Sequence, residues 1–138
     1  MTSQTEKSVA RLKMISPQFV VPDVVAAAEY YRDVLGFQIV GYFGQPPAYS
    51  IVRRDVVEIH LGRGNRAAPA ARFAPKREDS LDAYVWVDNV EALYDEFKGR
   101  GAQIVEPPTV RVYKCYEMVV EDRFGFRLAF AKDISGQA

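Results

Sequence analysis

Phe19-Val20-Val21-Pro22-Asp23 and Tyr84-Val85-Trp86-Val87-Asp88 decide the fold, because each opens the same succession of residues. Laid over one another with Phe19 on Tyr84 and Asp23 on Asp88, the two stretches keep step without a gap. Thirteen residues after each aspartate stands a glycine, Gly36 and Gly101, and the glycines lead into Gln38-Ile39-Val40 and Gln103-Ile104-Val105. Val25 matches Val90 and Ala27 matches Ala92 in between. Self-similarity at one fixed spacing reads as a duplicated structural unit.

Each copy has the same physical grammar. A short apolar run rich in β-branched and aromatic residues suits a largely buried strand. The aspartate then opens a helix by accepting from its first free amides, and at Asp88 the glutamate three residues on, Glu91, makes a capping box. Val90, Leu93, Tyr94 and Phe97 recur at spacings of three and four, which lays one apolar stripe of a helix of about three turns against a sheet. Gly36 and Gly101 stand where a left-handed residue ends the helix. Two more strands follow in each half: residues 48–53 and 56–62 around the turn Arg53-Arg54-Asp55, then 113–120 and 126–131 around Glu121-Asp122-Arg123-Phe124-Gly125. The expected fold is α+β, two tandem βαβββ modules. Residues 14–63 form the first and 81–132 the second, with tails at 1–13 and 133–138. Residues 64–80, rich in glycine, proline, alanine and charge, read as a linker. The basic residues in and beside it, Arg63, Arg66, Arg72, Lys76 and Arg77, are either an anion site or a solvated connection.

Composition bounds the function classes. With 138 residues the chain can bury a core of its own. Its 49% apolar and 26% charged residues are an ordinary globular balance. The 18 basic residues equal the 18 acidic ones, so no long-range positive field draws nucleic acid or an anionic membrane. Cys115 is the only cysteine, which excludes an intrachain disulfide and a four-cysteine zinc site; a reducing cytoplasm is the expected setting. No run of about 18 apolar residues is present, so no membrane-spanning helix is expected, and the polar opening residues carry no secretory h-region.

Pro22-Asp23 followed by Tyr30-Tyr31-Arg32-Asp33-Val34-Leu35-Gly36-Phe37 resembles the first-helix signature of the vicinal oxygen chelate superfamily, which includes glyoxalase I, the bleomycin-resistance proteins and the extradiol dioxygenases. Asp122-Arg123-Phe124-Gly125 is similar to that family's Asp-Pro-Asp-Gly turn at two of four residues. Tyr84-Val85-Trp86-Val87 with Leu93-Tyr94 and Phe97 resembles the bleomycin-resistance branch most. The resemblance runs from about Ile15 to Ala131. It implies a curved, incompletely closed barrel with helices outside, a small-molecule cup on the concave face, and a homodimer, sometimes with exchanged modules.

It also implies where a metal would sit. Relatives that use one place a histidine or glutamine seven residues before each helix-opening aspartate and a glutamate on each last strand. Here those places hold Ser16, Leu81, Glu58 and Ala129. Only Glu58 is a good ligand, and His60 is the sole histidine, so no cofactor is expected. A slip of two along the strands offers the alternative divalent site Gln18, Glu58 and His60.

Parity supplies the candidate ligand-binding residues. Val57, Ile59 and Leu61 alternate with Glu58 and His60, which places the polar pair in the cup, to act as acid and base or to orient a ligand. Arg127 shares the parity of Ala129 and offers a fixed positive charge to the cup. Tyr116 and Glu117 lie on opposite faces of one strand, with either face eligible to be inside; Cys115 reads as structural. Tyr42, Phe43, Tyr49, Tyr113, Tyr116 and Phe124 are available for the mouth, whereas Tyr84 and Trp86 read as core beneath the second helix. The leading reading is a metal-independent protein that binds a small, partly aromatic molecule. Its alternatives are a glyoxalase-type lyase, isomerase or dioxygenase using the Gln18, Glu58 and His60 site, and a non-catalytic protein-interaction module.

Overall fold

The computed structural model describes residues 8–64 and 80–136. The linker reading and its Arg66, Arg72, Lys76 and Arg77 lie outside the described residues; Arg63 is exposed at the end of a strand. The first half runs β1 (Gln18–Val21), α1 (Val24–Asp33), β2 (Gln38–Phe43), β3 (Tyr49–Arg54) and β4 (Val57–Arg63). The second runs β5 (Ala83–Trp86), α2 (Val90–Gly99), β6 (Gln103–Val110), β7 (Cys115–Glu121) and β8 (Arg127–Asp133). The strand orders are β1-β4-β3-β2 and β5-β8-β7-β6, with the first pair of each sheet parallel and the others antiparallel. The two βαβββ modules thus share one topology, and among the described residues their strands form two four-stranded sheets with no closed barrel.

Both helices are opened by a short polar side chain in extended backbone. Asp23 accepts from the Ala26 amide at 3.0 Å, and Asn89 from the Ala92 amide at 3.0 Å. The second cap is therefore Asn89, not Asp88, and Glu91 in the first turn of α2 accepts from the Tyr116 hydroxyl instead of closing a capping box. Gly36 and Gly101 both take positive φ after the helices, 77° and 87°, as their places in the repeat require.

The displaced cap exposes a slip in the repeat. Val24 corresponds to Val90 and Tyr31 to Phe97, so the two helices stand one place further apart in the chain than the glycines and the strands that follow them. One residue fewer connects α2 to its glycine. Because side chains alternate along a strand, a one-residue slip turns the whole set over. Phe19 and Val21 therefore correspond to Val85 and Val87, which pack on the core, and not to Tyr84 and Trp86. Those two are 37% and 60% exposed on the opposite face, which corrects their reading as core.

One apolar core lies on the helix sides of both sheets and joins the halves. Phe19 of β1 stacks on Phe126 beside β8 with centroids 4.3 Å apart, and Phe97 of α2 meets Phe130 of β8 edge-on at 5.2 Å. The Tyr31 hydroxyl donates to the buried Asp122 carboxylate at 2.7 Å, tying α1 to the β7–β8 turn. Arg54 of β3 holds Glu96 of α2 through two hydrogen bonds, 2.8 and 2.9 Å. These links leave the opposite, concave faces open: Phe43 is exposed on the first, Trp86 and Tyr113 on the second.

Candidate functional site

The concave face of the first module carries a row of polar side chains. Ile59 and Leu61 are buried in the core, so β4 turns Glu58 and His60 to the other side, as parity predicts. Gln18 on β1 pairs in register with His60, which brings Gln18, Glu58 and His60 onto one face. Tyr49 on β3 joins them, its hydroxyl 2.7 Å from His60 Nδ1, with the rings edge-to-face at 5.6 Å. His60 Nε2 lies 3.1 Å from Glu58 Oε1, while Arg53 donates to Glu58 Oε2 at 2.6 and 3.0 Å. The Arg53 hydrogen bonds first, and then that of His60, hold the Glu58 carboxyl below its ordinary range. Gly62 keeps the row open, since a Cβ there would lie 2.9 Å from the Gln18 amide nitrogen.

The matching places on the second module are differently filled. Register makes Tyr84, Arg127 and Ala129 the counterparts of Gln18, Glu58 and His60, and Glu121 the counterpart of Arg53. The cross-strand ion pair survives with its signs reversed: Arg127 donates to Glu121 at 2.9 Å where Arg53 donates to Glu58. Arg127 faces the concave side as expected, and Ala129 and Ala131 form a small-residue floor beside it.

Glu117 organises the rest of this face. It is 2% exposed, and its two oxygens take three donors. Tyr84 and Tyr113 both donate to Oε1, at 2.6 and 2.7 Å, and Arg111 Nε donates to Oε2 at 3.2 Å. Arg111 reaches Glu106 with its Nη2 at 2.7 Å. Burial, then the hydrogen bond to the Glu117 carboxylate, pushes both phenols above their ordinary pKa, so they remain donors across the physiological range. Glu117, Arg111, Glu106 and Tyr113 border a hollow of about 450 Å³ that Leu81, Val110 and Val112 make apolar at its rim and Arg127 charges at its edge. Its size falls in the range that takes a small organic ligand, and its mixture of apolar wall with a few convergent polar groups is the usual composition of such sites.

Tyr116 is not part of this face. Met118 and Val120 of β7 pack against the core, so Tyr116 shares their side and its hydroxyl donates to Glu91 of α2 at 2.8 Å. Its place among the ligand-facing residues is thereby corrected, whereas Glu117 and Cys115 have the concave side. Two more aromatics leave the expected mouth for the same reason of facing: Tyr42 is paired with the buried Ser50 on the helix side of its sheet, and Phe124 packs against the core. Sequence reasoning missed Arg111 and the facing of Tyr84 and Trp86. Arg111 lies in a turn where no periodicity speaks, and the facing of β5 was hidden by the slip. Another hollow, about 380 Å³, lies between α2 and the β3–β4 turn, with Trp86 also lining it. Phe37, Leu93 and Phe97 line it with Asp55 and Asp88, and Arg54 and Glu96 in its wall pair with each other. Convergent polar groups favour the concave faces.

A resident divalent ion does not fit the donors present. Both oxygens of Glu58 and both nitrogens of His60 are already engaged, and the second module offers a phenol, a guanidinium and a methyl group at the matching places. Among the described residues no group of three or more histidine, cysteine, aspartate or glutamate side chains could share an ion, and no helix is long and apolar enough to cross a membrane.

The fold has known relatives. The family model described as Glyoxalase/Bleomycin resistance protein/Dioxygenase superfamily matches residues 11–130. No curated protein matches. Among solved structures, the bleomycin-binding protein from bleomycin-producing Streptomyces verticillus, complexed with copper(II)-bleomycin, superposes with a TM-score of 0.69 at 19% identity, covering 88% of this chain and 97% of that one. A glyoxalase-related enzyme from Clostridium phytofermentans gives 0.71 at 15% identity, over 93% and 100% of the two chains. TioX from Micromonospora sp. ML1 gives 0.69 at 15% identity, over 88% and 98%.

Proposed function

The chain belongs to the glyoxalase/bleomycin resistance protein/dioxygenase superfamily, and from that premise we propose that it binds a small, partly aromatic organic molecule without a metal. The observation that carries this reading is the Glu117 cluster: a buried carboxylate, also bonded by Tyr84, that holds the Tyr113 phenol and the Arg111 guanidinium in fixed poses on the wall of an apolar-rimmed hollow. Groups ordered in advance in this way lose little entropy when a ligand arrives. The ligand's ring stacks on Tyr113, and Arg111 meets its carbonyl or anionic group. A bleomycin-binding protein stands among the similar folds, which makes metal-free bleomycin the first compound to try.

The open concave faces imply a second copy. A homodimer that sets the Phe43 and Tyr49 face of one protomer over the Trp86 and Tyr113 face of its partner closes the hollow and covers the exposed aromatics. The equal numbers of acidic and basic residues and the lone thiol suit a cytoplasmic protein that handles neither nucleic acid nor membrane.

The test is thermal denaturation of exhaustively chelated protein with metal-free bleomycin and a panel of aromatic small molecules. A saturable rise in melting temperature is expected, and Arg111→Ala should weaken it about tenfold or more, as loss of a charged hydrogen bond does. A rise that requires added metal, or none with any compound, overturns the reading. Native mass spectrometry of the same sample reports the subunit number and is expected to give two.

A further inference from the structure

Each helix meets a turn of the opposite module, and only one of the two meetings is filled. Tyr31 of α1 donates to Asp122 in the β7–β8 turn, and Phe126 of that turn stacks on Phe19 of β1. The counterparts of Tyr31 and Phe19 are Phe97, which has no hydroxyl, and Val85, which has no ring. The turn that faces them is also shorter. Residues 122–126 separate β7 from β8, but only Asp55 and Val56 separate β3 from β4, and both are exposed. The space that Asp122, Phe124 and Phe126 fill in one half is left in the other as the hollow of about 380 Å³, with Val85 and Phe97 in its wall. Arg54 ties the short turn to Glu96 of α2 at 2.8 and 2.9 Å, which holds the walls apart. An apolar void of this size in an otherwise close-packed interior lacks the contacts that a guest would supply.

The lining sets the charge of that guest. Phe37, Val85, Leu93 and Phe130 supply apolar wall. Arg54 and Glu96 neutralise each other, which leaves Asp55 from one module and Asp88 from the other. Both are exposed, and among the described residues neither side chain has a hydrogen-bond or ion-pair partner. An anion entering here would meet two uncompensated carboxylates, whereas a cation would compensate them. We propose that this hollow is a second ligand site, taking a small organic cation whose aryl or alkyl body fills the cleft and whose protonated amine lies at the rim beside Asp55 and Asp88. It stands apart from the hollow around Glu117, with which it shares no lining residue among those described.

Trp86, the chain's only tryptophan, lines this hollow and not the one around Glu117, so its fluorescence reports which is occupied. The probes are phenethylamine, phenethyl alcohol and phenylacetate, which share a body and differ in charge, titrated into the full chain at neutral pH. Phenethylamine should give a saturable change, binding about fivefold or more tighter than the alcohol at low salt and losing that advantage at about 1 M salt; phenylacetate should bind least. Asp55 has a φ of 53°, a conformation that asparagine tolerates, so Asp55→Asn combined with Asp88→Asn removes the charge and keeps the turn. In that double variant the amine and the alcohol should bind alike. Ala92→Phe, at an exposed place on α2 that lines the hollow, should weaken both about tenfold or more by occupying the space, and it serves alone if the double variant fails to fold. Equal binding of the three probes, an amine preference that survives the double variant, binding that ignores Ala92→Phe, or no saturable change overturns the proposal. Asp55, Asp88 and Ala92 lie outside the lining of the hollow around Glu117, so the thermal response to metal-free bleomycin should persist in these variants, and the two proposals fail separately.

Discussion

At the residue scale, two buried carboxylates have opposite standing. Glu117 satisfies three donors, and removing it takes the acceptor from two part-exposed phenols and leaves Arg111 to Glu106 alone. Glu117→Ala should destabilise the fold by about 2 kcal/mol, the usual consequence of losing hydrogen bonds to a charged group, and Glu117→Gln by clearly less; urea denaturation measures both. Asp122 is the reverse case. Burial pushes its pKa up to about 6 against the pull of hydrogen bonds from Tyr31 and the Phe124 and Phe126 amides, and the nearby charge of Asp82 adds to the rise. A carboxyl whose pKa is higher folded than unfolded stabilises the fold while it is protonated. That contribution is complete below about pH 4 and is lost as the pH rises through 6. Asp122→Asn keeps the shape without the charge, so its stability relative to the unaltered protein should rise by about 2 kcal/mol between pH 4 and pH 7. Parallel pH profiles for the two proteins would contradict this.

At the element scale, the repeat is a sound guide to what forms and a poor guide to which way it faces. The strand, helix and three strands of each half were legible as runs of apolar residues, capping positions and two glycines, because those signals are local. Facing was not, because it depends on counting residues without error. The residue missing between α2 and Gly101 moves the cap from Asp88 to Asn89 and turns Tyr84 and Trp86 from core to concave face. Substitution separates the two capping candidates: Asn89→Ala should cost about 1 kcal/mol in thermal or urea unfolding, while Asp88→Ala stays within about 0.5 kcal/mol. The two helix-ending glycines differ likewise. A Cβ on Gly36 would come within 2.6 Å of Arg54 Nη1 and 2.9 Å of Glu96 Oε2, whereas one on Gly101 meets nothing within 4 Å. Gly36→Ala should therefore be the more damaging, through displacement of the Arg54–Glu96 link in addition to the shared backbone strain of about 1 kcal/mol. Equal losses at the two positions would mean that the link contributes nothing.

At the scale of the whole molecule, the halves are joined through their helix sides, and the chemistry is left on two faces that look away from the shared core. Duplication has kept the cross-strand ion pair of each face but reversed its signs, Arg53 with Glu58 against Glu121 with Arg127, so the two faces are complementary and not alike. Trp86 is 60% exposed and takes no part in the core. In the homodimer proposed above, Trp86→Glu should therefore weaken association about tenfold or more by sedimentation while leaving the monomer folded. The sequence by itself determined the two βαβββ modules, the family resemblance, and the concave placing of Gln18, Glu58, His60 and Arg127, all readable from repetition and period-two alternation. Only the tertiary structure decided that Glu117 and not Tyr116 faces the hollow, that Arg111 and Tyr113 line it while Tyr84 bonds Glu117, and that Tyr49 reaches His60. Those pairings join strands and turns far apart in the chain, and register, bulges and a one-residue deletion set them through contacts that no local pattern records.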